Sequence, residues 1–201
     1  MSVRHRPLPR LLQLFGGVTL FGASIALMVR AGLGLSPWDV LHHGLQHRLH
    51  LSFGTLMALT SALVLLIWIP LRQRPGIGTF VNVVVIAIST DVFIVLLPRP
   101  DWLPWQLAML FAGVALNGLA TAIYVGARLG PGPRDGLMTG LHAQTGWSVR
   151  AVRTSLEITV LAVGWLLGGT AGLGTAVFAL GIGPVTQLFL PLCTVGRAER
   201  R

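Results

Sequence analysis

The chain has 201 residues, 53% of them hydrophobic and only 10% charged; soluble domains carry roughly 25% charged residues, so the composition excludes a surface built for water. The formal charge of +9 does not mark a nucleic-acid binder, because the basic residues, all arginine, fall in short clusters between apolar runs rather than on a polar domain. A lone cysteine, Cys193, excludes an internal disulfide and any cysteine metal cage, and reads as a small side chain packed in an apolar run.

Uncharged or nearly uncharged runs fall at Leu11–Val29, Phe53–Leu71, Thr79–Leu97, Trp105–Val125, Val152–Leu167 and Thr175–Leu192. A run of about 19 residues at 1.5 Å each reaches across the hydrocarbon layer, so each reads as a transmembrane helix. The fifth is the weakest, holding Arg153 and Glu157. The first follows a basic stretch as a secretory signal would, but its counterpart in the second half marks it as a permanent element. The expectation is an all-α polytopic membrane protein of six spans, a single transmembrane domain over residues 1–201.

With the N-terminus inside, the cytoplasmic segments hold Arg4, Arg6, Arg10, Arg72, Arg74, Arg128, Arg134, Arg150, Arg153, Arg197, Arg200 and Arg201, leaving Arg30, Arg48 and Arg99 outside. The positive-inside rule favours that arrangement, with both termini cytoplasmic, over an eight-span one that would put Arg72, Arg74, Arg128 and Arg134 outside. Trp68, Trp102, Trp105 and Trp165 fall near span ends and read as interfacial belts.

The sequence aligns on itself without a gap at a shift of 96 positions. Leu33, Gly34, Pro37, Asp39, Leu41, Gly44 and Leu45 match Leu129, Gly130, Pro133, Asp135, Leu137, Gly140 and Leu141, and Gly76, Gly78 and Thr79 match Gly172, Gly174 and Thr175. Apolar residues match by chance; a shared Gly-x-x-Pro-x-Asp-x-Leu-x-x-Gly-Leu does not, which makes the chain a duplication of repeat one (9–98) and repeat two (105–194). Three spans per repeat turn the second upside down, the inverted topology of many transporters. The charges agree, since the loop Arg72–Gly76 has lost its arginines in its mate Gly168–Gly172.

Each repeat carries a Pro-x-Asp segment too short to span, Ser36–Leu45 and Gly132–Leu141. Trp38, Leu41, Leu45 and Leu49 recur at helical spacing, suggesting a short amphipathic helix. Pro37 and Pro133 suit the first helical position, with Ser36 or Gly132 as cap and Asp39 or Asp135 at the third. Two arrangements fit: interfacial helices whose aspartates only cap their own N-termini, or re-entrant half-helices whose N-termini meet near the midplane around a solute or ion. Under the second, Ser36, Pro37, Asp39, Gly132, Pro133, Arg134, Asp135 and the mid-span Asn117 are the candidate substrate-binding residues.

Arg153 and Glu157, four apart, read as a structural ion pair, Asp91 as a snorkelling end-of-span residue, and Asn117 as a bond to a neighbouring helix. Asn82 and Gln187 are further polar residues within the spans. Gly181, Gly183 and Pro184 should kink or break the sixth span. His42, His43, His47 and His50 are the one candidate metal cluster, but the second half keeps no histidine at the matching positions, so no metal or other cofactor is expected.

In Gly130-Pro131-Gly132-Pro133-Arg134-Asp135-Gly136-Leu137-Met138, in Arg153-Thr154 with Glu157, and in Gly164-Trp165-Leu166-Leu167-Gly168-Gly169, the chain resembles the bacterial YczE-type membrane proteins and, more distantly, the YitT group. The resemblance implies a multi-pass protein of the bacterial cytoplasmic membrane and assigns no residue a role. Two functions follow from the residues: a small-solute transporter or exporter, or a non-transporting accessory protein whose arginine-rich loops support a cytoplasmic biosynthetic or assembly machine. An enzyme is not expected, since the chain has no His-Glu-x-x-His, Gly-x-Ser-x-Gly or phosphate loop and no lysine. The expected partners are the lipid bilayer, an unidentified small solute and, since six spans are few to enclose a path, a second copy in a homodimer; nucleic acid is not among them.

Overall fold

The computed structural model describes residues 7–193 as eight α-helices, with no strand among them. They are α1 (Pro7–Ala31), α2 (Pro37–Leu49), α3 (Phe53–Trp68), α4 (Ile77–Leu96), α5 (Leu103–Gly126), α6 (Pro133–Thr145), α7 (Val149–Leu166) and α8 (Leu173–Cys193). Arg4, Arg6, Arg197, Arg200 and Arg201, assigned above to the cytoplasmic side, lie outside the described residues, as do both termini.

All six apolar runs form helices, and α2 and α6 are the two short segments. Four helices, α1, α4, α5 and α8, are long and apolar enough to cross a membrane, or five if α2 and α3, bent by 112° at the break between them, count together as one span. The remaining difference from six is physical: α3 has only 16 residues, and the 18 of α7 include Arg150, Arg153 and Glu157.

Lipid is the solvent this surface suits. Val95 is 80% exposed and Leu180 79%, while Ser24, Asp39, His42, Thr90 and Asn117 are buried, the reverse of the usual sorting in water. The same inversion corrects the amphipathic reading of α2. Its apolar stripe is only partly packed: Trp38 sits on the cluster of Val64, Trp68, Leu71 and Leu137, Leu41 and Leu45 are half-buried and Leu49 is exposed, whereas Val40 and Gly44 are buried against α7.

Three other expectations change. Trp68 is buried rather than interfacial, its ring against Gly136 and its indole N–H donating to the Pro133 carbonyl at 3.0 Å; Trp102, Trp105 and Trp165 are exposed. The sixth span is not broken at Gly181, Gly183 and Pro184: α8 runs through both Pro184 and Pro191, each of which removes one donor from its ladder. Asp91, on α4, does not snorkel but caps α3, accepting from the Gly54 N–H at 2.7 Å and the Ser52 hydroxyl at 2.6 Å.

The 96-residue shift recurs in the fold. Every helix of the first half begins 96 positions before one in the second, and the positive-φ residues pair as Gly32 with Arg128, Gly34 with Gly130, His50 with Gly146 and Arg72 with Gly168. The halves exchange equivalent bonds: Gly78 N–H to Leu129 C=O at 3.0 Å, and Gly174 N–H to Leu33 C=O at 2.8 Å. Gly34 (φ 121°) and Gly130 (φ 137°) adopt backbone that L side chains avoid, and each brings its half against a glycine of the other, Gly172 or Gly76. Centrally, α1 packs on α5 and α4, and α5 on α8; flanking them, α2 packs on α7 and α3 on α6.

Candidate functional site

The start of α2 is built as its sequence indicates. Ser36 is extended (φ −61°, ψ 155°), its Oγ accepts from the Asp39 N–H at 3.3 Å, and Pro37 takes the first helical position. Gly132 holds the same backbone before α6 (φ −64°, ψ 160°) and brings no cap side chain.

Asp39 does more than cap its own helix. Its buried carboxylate accepts from the Ser36 hydroxyl and lies 3.3 Å from His42 Nδ1. A carboxylate only accepts, so His42 Nδ1 carries a proton toward Asp39, and His42 Nε2 lies 2.8 Å from the Thr60 hydroxyl. From the other half, Arg134 Nη2 stands 3.8 Å from Asp39 Oδ1, and its guanidinium lies 4.9 Å over the Trp38 ring. Trp38 and Arg134 are 96 positions apart, so equivalent residues of the two halves meet as a cation and an aromatic face.

Both helix starts open on one cavity of about 290 Å³. Ser36, Pro37, Gly132, Pro133, Arg134, Asp135 and Asn117 line it, and Asp39 lies buried behind, reached through Arg134. Pairs at the 96-residue shift line it together, among them Met57 with Arg153 and Asn82 with Phe178. In these two pairs, and in Phe21 with Asn117, one member is polar and the other apolar, whereas Pro37 with Pro133 and Ile86 with Ile182 are unchanged, so the two halves share the frame of the cavity but not its polar equipment.

Several of the remaining polar groups are bonded to a neighbouring helix or within their own. Asp135 accepts from the Tyr124 hydroxyl at 3.2 Å. Asn117 donates to Ser24 on α1 at 2.8 Å, the helix-to-helix bond expected of it. Arg153 donates to Glu157 at 2.9 Å, and both members of this pair also line the cavity. Trp68 holds the start of α6 through Pro133.

The histidines do not converge as a set, although the His43 and His47 rings meet edge to face with centres 4.6 Å apart. His42 serves Asp39, His43 accepts from the Thr170 N–H at 3.3 Å, and His47 faces the Gly168 carbonyl at 3.1 Å. No group of three or more metal-ligating side chains that could hold an ion occurs among the described residues. Tyr124 and the His42–Thr60 bond were not anticipated; the one signal for Tyr124 was that it is the only tyrosine of the chain, set in an apolar span.

A family model described as a family of unknown function, DUF6198, matches residues 8–191. An uncharacterized protein of Haemophilus influenzae is 41% identical over 173 residues, 86% of this chain and 79% of the relative. The uncharacterized membrane protein YczE of Bacillus subtilis is 35% identical over 88% of this chain and 83% of its own, and YyaS of the same organism 26% identical over 88% and 90%. No solved structure matches.

Proposed function

The chain belongs to the YczE-type family of membrane proteins, the family of unknown function DUF6198, and from that premise we propose that it carries a small solute across the bacterial cytoplasmic membrane, as a transporter or exporter and not as an enzyme. The observation that carries this reading is the meeting of the α2 and α6 starts on one cavity, with Arg134 of one half against Asp39 and Trp38 of the other. Free N–H groups at helix starts and charged side chains are expensive in a bilayer, and they collect where a polar solute compensates them.

In the membrane this reading places α2 and α6 as re-entrant half-helices and α1, α3, α4, α5, α7 and α8 as six spans of two inverted repeats, with both chain ends cytoplasmic. The exchange of equivalent bonds between halves and the paired helix starts support it. A carrier built this way opens its central cavity alternately to either side by rocking one repeat against the other. A homodimer would add lipid-shielded area around so small a bundle.

The test is flux in proteoliposomes with radiolabelled amino acids, alkylamines, sugars and carboxylates. Saturable uptake above protein-free vesicles, lost in Arg134→Ala and in Asp39→Asn, supports transport. The exposed arginines Arg72, Arg74, Arg128 and Arg150 favour the second reading, a docking surface for a cytoplasmic assembly machine. No flux from any class, together with full cellular function in an Asp39→Asn/Asp135→Asn double variant, would establish that reading instead.

A further inference from the structure

The cavity holds a carboxylate that the chain itself leaves unbalanced. Of the acidic groups at the two helix starts and beside them, Asp39 has Arg134, at 3.8 Å, and Glu157 has Arg153, at 2.9 Å. Asp135 has no cationic group within 4.0 Å among the described residues: Arg134 and Arg153 act on it only from farther away, each already paired with another carboxylate, and its closer partners are the Tyr124 hydroxyl and the Gly132 backbone. A lone charge in a lipid-embedded protein is costly, and a counter-charge is the ordinary way to relieve it.

The surroundings of Asp135 form a cradle. Around the point where a Cβ on Gly132 would stand, Asp135 Oδ2 lies at 3.2 Å, the Tyr124 oxygen at 3.6 Å and Asn82 Oδ1 at 3.7 Å. These oxygens come from α6, α5 and α4. Asn82 is only 8% exposed, lines the cavity, and its side chain makes no hydrogen bond among the described residues. Its amide opens onto the cavity rather than into packed protein, so it is free to bond a group held there. Glycine at position 132 keeps the space between the three oxygens open.

We infer that this cradle binds a monovalent cation, with Asp135 as counter-charge and Tyr124 and Asn82 as oxygen ligands. The inference rests on reading the cavity as a solute site. A divalent ion would call for more than one free carboxylate, and Asp39 and Glu157 are already engaged; an anion would meet a net negative site, with Asp39, Asp135 and Glu157 against Arg134 and Arg153. Two sources share the required chemistry, an alkali ion or the ammonium head of the carried solute.

The experiment follows the unfolding temperature of the purified protein in detergent while NaCl, KCl or propylammonium chloride is titrated in, with ionic strength held by N-methyl-D-glucamine chloride. We expect a saturable rise of roughly 3–6 °C at ten times Kd. It should disappear in Asp135→Asn and weaken at least about tenfold in Gly132→Ala, whose Cβ fills the cradle, and persist in Gly16→Ala, which faces open space. Saturation by sodium or potassium alone identifies an alkali site; saturation by propylammonium alone identifies the head of an amine solute. No saturable rise with any of the three, or an undiminished rise in the Asp135 and Gly132 variants, overturns the inference. Cation binding by a protein that shows no flux overturns only the transporter reading, and flux by a protein that shows no shift overturns only this one.

Discussion

Replacing Gly164 with alanine tests whether the short helix α2 is held by direct backbone contact with α7. A Cβ at Gly164 would stand 2.6 Å from the Leu41 Cα and from the Val40 carbonyl carbon, well inside ordinary contact. The obstacle is main chain, which cannot swing aside as a flexible side chain can, so α2 and α7 must part by most of an ångström. Overpacking of this kind costs up to about 3 kcal/mol, offset by about 1 kcal/mol because alanine favours a helix over glycine. The net loss of about 2 kcal/mol lowers the unfolding temperature by roughly 4–8 °C in a chain of this size. Gly16→Ala is the control: it lies in α1 with nothing within 4 Å of the added methyl, and should leave stability unchanged or raise it by up to about 1 kcal/mol. Both variants are compared in detergent by tryptophan fluorescence during heating. If Gly164→Ala unfolds at or above the wild-type temperature, the backbone approach between α2 and α7 is not what positions the helix start.

Asp91→Asn removes the charged cap that α4 supplies to the N-terminus of α3, and should lower the unfolding temperature by about 2–8 °C, a cost of about 1–2 kcal/mol; no change would show that the cap contributes nothing. The His42–Thr60 bond of 2.8 Å predicts a coupling of about 0.5–1.5 kcal/mol in a double-mutant cycle of His42→Ala and Thr60→Val, and strictly additive losses would contradict it. In a Cys193→Ser background, single cysteines at the exposed loop residues Arg74 and Ala171 should label oppositely in intact cells, Ala171 from outside and Arg74 not. Equal labelling by an impermeant reagent would refute the inverted arrangement of the two repeats.

Much of the fold is written in local pattern. The apolar runs mark the helices, Ser36-Pro37 and Gly132-Pro133 mark the starts of α2 and α6, and the constant shift of 96 positions is carried into helix boundaries and backbone conformation alike. These features depend on residues close in sequence or on a repeat, so one chain read alone exposes them. The packed face of α2 was harder to see, because in lipid an apolar stripe faces outward as readily as inward, and Trp68 shows the converse, a belt-like tryptophan that is wholly interior.

What the sequence by itself determined is therefore a membrane protein of apolar helices, in two matching halves, each with a capped short helix. Tertiary structure alone decided which polar groups meet: Arg134 with Asp39 and Trp38, Tyr124 with Asp135, Trp68 with Pro133, and Asn82 facing the cavity without a partner. Most of these residues are separated by tens of positions and sit on different helices. Their pairing is set by how closely the helices approach at glycines such as Gly44, Gly136 and Gly164, a quantity that packing geometry fixes and residue spacing does not encode.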